Sequence, residues 1–394
     1  MGVPPVRSRG VEGPHREGGL KPPPRAASAS GLFFPLAAAY AALILPASVL
    51  PMLGVSPALP GLASPAAHAH EMLFGFALLV VAGHQLGQAS ARFLAALLAL
   101  WAAARVGFLL APGSLLAGVA NVAFAVLLGT RLAPRLFTSA KKLRNLALPL
   151  AFSALAGCAA GVELARFLGA AALERALLTT TLVAFSLLML FMGGRLLAPA
   201  AAGQFQRQGV NLAARVQPRM EGAIIGALLV AAIASAFAAS RPLVVVAGIA
   251  LAAGGALALV RLARWRLWAT RGRPDLQCIG IGYAWVGAGL AAWGIAGIVG
   301  GRELAMLHAI TIGGLGTLTL NVMALTAARA ARADPSATRL PAVATALLAV
   351  ACVERISADF STGWRLVHLG CAAVAWSAAF ALLLARLRAL RPGR

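Results

Sequence analysis

The stretch that decides the fold reads His68-Ala69-His70-Glu71-Met72-Leu73-Phe74-Gly75-Phe76, and it opens an apolar run that ends only past His84. A run of roughly 20 apolar residues crosses a bilayer as a helix at 1.5 Å per residue. Two imidazoles and a carboxylate therefore stand where a helix enters a membrane, a place where ionisable groups are costly unless they meet a partner. A second entrance of this kind lies far downstream, at Leu307-His308-Ala309-Ile310-Thr311-Ile312-Gly313-Gly314-Leu315-Gly316-Thr317.

The rest of the chain has the same character. Its 394 residues are 60% hydrophobic and 11% charged, with a mean hydropathy of +0.85. No water-soluble domain of this length carries such a composition, so the chain is an integral membrane protein. A net charge of +23 would point to nucleic acid in a soluble protein. Here the basic residues fall between apolar runs, as membrane topology requires, and this simpler account excludes nucleic-acid binding. The four cysteines, Cys158, Cys278, Cys352 and Cys371, lie in or beside apolar runs with no CxxC pair, and they form neither a disulfide framework nor a zinc module.

Twelve runs are long enough to span, near residues 32–50, 70–89, 93–111, 114–131, 146–169, 173–196, 221–239, 242–260, 279–299, 304–325, 340–357 and 363–385. Short turns at Leu173-Glu174-Arg175 and Ser240-Arg241-Pro242 make hairpins of the fifth and sixth and of the seventh and eighth. Charge tests the count. With the N-terminal tail in the cytoplasm, alternate loops on that side hold 27 of the 34 Lys and Arg residues. The other side holds six, and Arg105 lies inside a helix. That bias is what the positive-inside rule expects. The predicted fold is therefore all-α: a polytopic membrane bundle of about twelve transmembrane helices with both termini cytoplasmic. Residues 1–30, with Arg7, Arg9, Arg16, Lys21 and Arg25 among Pro and Gly, read as a disordered basic tail rather than a signal peptide. Residues 31–388 form the membrane domain, and 389–394 a short basic tail.

This topology places His68, His70, His308 and His368 near one membrane depth, on the non-cytoplasmic side. His84 follows His70 by 14 residues, about 21 Å deeper and within about 40° of the same face if the helix is uniform. Neutral imidazole is the commonest metal ligand, so His68, His70, His308, His84 and His368 are the candidate metal ligands. Glu71 either orients the His70 imidazole through its second nitrogen or stands as a carboxylate favoured at a helix N-terminus. Arg105 inside a helix must face the bundle interior, either to partner haem propionates or to form a salt bridge with Glu71 or Glu163. His368 and Cys371 share one helical face, a pairing that suits copper or simply fills space. The glycines at 313, 314 and 316 form a small-residue surface for close helix packing or for a flat macrocycle. No phosphate loop GxxxxGK[ST] occurs.

At these motifs the chain resembles the NnrS family of multi-pass membrane proteins. The resemblance rests on His68 through Phe76, Met192-Gly193-Gly194-Arg195, Gly282-Tyr283-Ala284-Trp285 and His308 through Leu320, and runs from about residue 32 to 385. It implies a haem- and copper-containing protein of the bacterial cytoplasmic membrane, associated with the response to nitric oxide, denitrification and nitrosative stress. His68, His70, Glu71, His308 and Arg105 are the candidate cofactor-binding residues on this reading. Two departures stand out. Gly280-Ile281-Gly282-Tyr283 replaces a His-Ala-Gly-Tyr pattern in the ninth helix, and residues Ala324 to Arg332 lack the histidine found after the tenth helix in other members.

The expected partners are the lipid bilayer and nitric oxide or a related small ligand. No residue is assigned a catalytic role, and the reading leans toward a binding protein rather than an enzyme. A haem-copper oxidase or nitric oxide reductase would need around six histidine ligands, and five lie outside the tail. A secondary transporter also fits twelve helices, although the polar groups gather at one end and the motifs do not repeat.

Overall fold

The computed structural model describes residues 26–390 apart from 58, 238, 239, 271 and 337. Twelve helices in it are long and apolar enough to cross a membrane: α1 Ala29–Leu53, α2 Pro65–Gln85, α3 Ala91–Leu110, α4 Leu115–Ser139, α5 Leu143–Phe167, α6 Ala171–Arg207, α7 Pro218–Ala236, α8 Arg241–Ala269, α9 Pro274–Val299, α10 Glu303–Ala330, α11 Leu340–Phe360 and α12 Arg365–Ala389. The chain is a multi-pass membrane protein with an all-α fold. Among the described residues one antiparallel ribbon joins β1 Ala26–Ser28, ahead of α1, to β2 Gln88–Ser90, after α2. The expected basic tail over 1–30 lies mostly outside the described residues. Its last part, 26–30, is ordered as β1 and the first turn of α1.

Serine side chains start several helices. Ser64, Ser90 and Ser114 each accept from a backbone N–H one turn ahead, satisfying a donor that the first turn leaves open. The α5–α6 turn depends on Gly169 at φ +67°, a left-handed conformation that costs other L-residues about 1–2 kcal/mol. That turn lies at residues 168–170. The expected turn at Leu173-Glu174-Arg175 is instead the first turn of α6, because Glu174 suits a helix N-terminus and Gly169 already reverses the chain.

Burial divides the helices into two sets. In α2, α6, α9 and α10, 61–78% of the most apolar window is buried, against 28–44% in the other eight. In lipid only a helix surrounded by other helices is buried all round. These four thus form the centre, and they carry all four sequence motifs. The outer helices turn residues such as Leu115, Leu116, Val374 and Phe167 outward, as lipid-facing surfaces do.

Both motif helices leave α-geometry just after their histidines. Glu71–Ala77 in α2 and Ala309–Gly316 in α10 are π-helical, a wider winding that occurs mostly at functional sites. The small-residue surface of α10 is filled by the protein itself. A methyl group on Gly313 would meet the Trp285 ring at 2.6 Å, and one on Gly316 the Trp376 ring at 2.7 Å. The glycines serve helix packing, and no face is left there for a flat macrocycle.

Candidate functional site

The polar residues of the membrane domain form three groups. The first surrounds His70, which is fully buried with Glu71. His70 Nδ1 lies 3.0 Å from Glu71 Oε1, and Nε2 lies 2.7 Å from Glu163 Oε1 on α5. Arg105 Nη1 donates to Glu71 Oε1 at 2.5 Å, and its other terminal nitrogen donates to the Asn121 side chain on α4. Asn121 Nδ2 donates to Glu163 at 2.8 Å, and the Tyr40 hydroxyl donates to Glu71. Arg166 extends the chain of charges, bonding Glu163 at 3.1 Å and Glu174 at 2.6 Å. Phe108 stacks on the His70 ring at 4.0 Å, and the Arg166 guanidinium lies 4.6 Å from the same Phe108 ring. Such a network is tolerated in an apolar bundle because each charge meets an opposite one, and of its buried side-chain atoms Arg105 Nε alone among the described residues lacks a hydrogen-bond partner. Its composition suits structure. Both ring nitrogens of His70 already lie against carboxylates, so neither faces an open position for a metal.

The second group lies at the same end. His308 Nδ1 donates to the Leu304 carbonyl at 2.6 Å, which fixes the tautomer and leaves the lone pair on Nε2, the arrangement common behind metal-bound imidazoles. His68 lies close enough to interact with it electrostatically, and both feel the Arg355 guanidinium. The buried Nδ1 of His68 has no hydrogen-bond partner.

The third group lines a cavity of about 510 Å³ at the opposite end, between α2, α6, α9 and α10. Its walls are apolar, including Val80, Leu188, Met189, Met192, Leu318 and Val322. Into it face His84, whose buried Nδ1 also has no hydrogen-bond partner, and the guanidinium-bearing Arg195 and Arg329. Arg195 is steadied by the Asn145 side chain and by the face of Phe191, 4.6 Å from its guanidinium carbon. The volume is within the usual range for cofactor and small-molecule sites.

A family model described as NnrS protein matches residues 31–391. The chain belongs to the NnrS family. None of the curated proteins compared with it matches. The match covers all twelve helices, so the three groups are features of an NnrS-family membrane domain and not of an appended segment.

The candidate ligands His68, His70, His308 and His368 of this NnrS-family chain have separate partners. Among the described residues, no group of three or more His, Cys, Asp or Glu is placed to hold a metal ion. His68 and His70 stand two apart, about 200° around a helix, so one turns to α10 and the other to α4 and α5. His368 pairs with Glu354, Nδ1 to Oε2 2.6 Å, and Cys371 is exposed. Nor do His70 and His84 share a seam. The π segment between them offsets the uniform phase, and His84 faces α6, α9 and α10 instead. Arg105 takes the salt-bridge role with Glu71, and Glu71 does orient the His70 imidazole. Sequence reading missed Asn121 as the bridge between Arg105 and Glu163, although an asparagine within an apolar run was a visible signal. It also missed Arg195 and Arg329 as a pair, because they are 134 residues apart and were counted as loop charges.

Proposed function

We propose that this NnrS-family chain is a haem- and copper-binding protein of the bacterial inner membrane that acts in the response to nitric oxide. The observation that supports this best is the cavity beside His84. An apolar chamber lined by an imidazole whose Nδ1 has no hydrogen-bond partner and by two guanidiniums suits a flat, apolar macrocycle that carries carboxylates and a metal. His84 would offer a ring nitrogen to the iron, and Arg195 and Arg329 would hold the carboxylates by charge-assisted hydrogen bonds. Valine, leucine and methionine walls would keep water away. Bound there, a haem supplies an iron centre for a diatomic ligand such as nitric oxide. Imidazole also suits copper, and His68 with His308 would hold it at the other end, with further coordination positions left to small ligands. His70, Glu71 and Arg105 hold the bundle together beside that pair.

The test is haem and copper analysis of the purified full-length protein with absorption spectra of variants. His84→Ala is expected to abolish the Soret band, and Arg195→Gln with Arg329→Gln to weaken haem retention. His68→Ala is expected to lower copper content while leaving the Soret band intact. Wild-type protein purified without haem after expression with haem supplied, or a Soret band unchanged in His84→Ala, would refute the assignment.

A further inference from the structure

Behind the cavity wall lies a fourth polar cluster that the proposed cofactor roles do not use. Its centre is Arg261 on α8. The guanidinium lies over the Trp265 ring at 5.0 Å, Trp265 packs edge-on against Tyr283 of α9 at 5.4 Å, and Gln217 ahead of α7 donates to the Arg261 carbonyl at 3.3 Å. Arg261, Trp265, Tyr283 and Gln217 are each more than nine-tenths buried. Even so, the indole Nε1 of Trp265, the hydroxyl of Tyr283, Nε of Arg261 and the amide oxygen of Gln217 have no hydrogen-bond partner. Buried polar atoms left unpaired cost about 1–3 kcal/mol each. Four on adjoining side chains call for an occupant.

Two features give the occupant its sign. The orphans comprise two obligate donors, Trp265 N–H and Arg261 Nε–H, and a tyrosine hydroxyl that can donate, against one acceptor. The charges near them are also unbalanced. Arg261 faces Glu221 at 3.5 Å, and Arg144 reaches the same carboxylate oxygen at 3.9 Å, so two guanidiniums share one carboxylate. A water molecule would satisfy the donors but leave the excess positive charge, which a low-dielectric interior penalises. The glycines of Met192-Gly193-Gly194-Arg195 let the Arg261 guanidinium and the Tyr283 ring pack directly against α6. A Cβ on Gly194 would lie 2.9 Å from both terminal nitrogens of Arg261, and one on Gly193 3.0 Å from the Tyr283 ring. We propose that the Arg261–Trp265–Tyr283 cluster is a binding site for one small monovalent anion, a halide or a small oxyanion.

The test uses the full-length protein in detergent, with its thermal unfolding midpoint followed as chloride or nitrate replaces gluconate at constant ionic strength. A ligand bound only by the folded state raises the midpoint along a saturation curve. Wild type is expected to show such a rise with at least one of the two anions. Tyr283→Phe removes one donor without touching charge and should weaken apparent affinity about tenfold, equivalent to about 1.4 kcal/mol. Arg261→Gln should abolish the response. A wild-type midpoint indifferent to both anions, or a saturable rise undiminished in Tyr283→Phe, would overturn the proposal, the first meaning water alone and the second a site elsewhere.

Discussion

Replacing Arg105 with methionine isolates the cost of the charge network around His70. Arg105 is 3% exposed and Glu71 fully buried, with Nη1 2.5 Å from Oε1. Removing one partner of such a pair leaves a desolvated carboxylate and costs about 3–5 kcal/mol. Asn121 Oδ1 also loses its donor. Glu71→Gln keeps the shape and one acceptor oxygen, turns the other into an N–H donor and discards the opposing charge, so the double variant Arg105→Met/Glu71→Gln should recover much of the loss. The expected coupling is at least about 2 kcal/mol, the upper part of the range for directly contacting residues. Equilibrium unfolding in mixed micelles with increasing SDS, followed by circular dichroism for wild type, both single variants and the double, measures it. An additive double variant, within about 0.5 kcal/mol of the summed singles, would refute the view that these groups act as one buried pair.

Two further outcomes are expected. Gly313→Ala should destabilise by about 1–3 kcal/mol in the same assay, since its methyl lands against Trp285 in a filled core; Gly226→Ala, with nothing within 4 Å of the added carbon, should be neutral or stabilising by up to about 1 kcal/mol. For membrane orientation, reporter fusions ending after Arg144 should fluoresce as cytoplasmic proteins do and those ending after Gly169 should behave as exported ones; the reverse pattern would overturn the positive-inside reading.

The helices were legible in the sequence because a bilayer demands unbroken apolar runs, and each of the twelve expected spans corresponds to an observed one. Their ends were less so. α6 continues to Arg207 and α8 to Ala269, well past the expected 196 and 260, because hydropathy marks only the hydrocarbon-facing part while backbone hydrogen bonds continue into the interface, where Arg and Gln side chains reach water. Position along the bundle was legible too: His68, His70 and His308 all stand near the starts of their helices, α2 and α10, at one end. Facing was not. Direction around a helix depends on phase, and the 40° estimate linking His70 to His84 assumed an α-helix throughout.

The π segments explain why that assumption failed and why the misfit is tolerated. Each wide turn frees backbone carbonyls that an α-helix would satisfy internally, and in lipid these must find donors. Trp101 Nε1 donates to the Gly75 carbonyl at 2.8 Å within the first segment. Thr319 donates to the Leu315 and Gly316 carbonyls at 2.6 and 3.1 Å in the second. The glycines let neighbours close over the widened backbone, Tyr40 and Arg105 at Gly75, and Trp285 and Trp376 at Gly313 and Gly316. What the first segment gains is a helix with two separate polar addresses. His70 is turned into the ion pairs that brace α3, α4 and α5, and His84 is left facing an apolar chamber with its Nδ1 unclaimed. A regular helix would set both near one seam, where the Glu71 and Glu163 carboxylates that occupy His70 would stand in line with the imidazole proposed to bind iron.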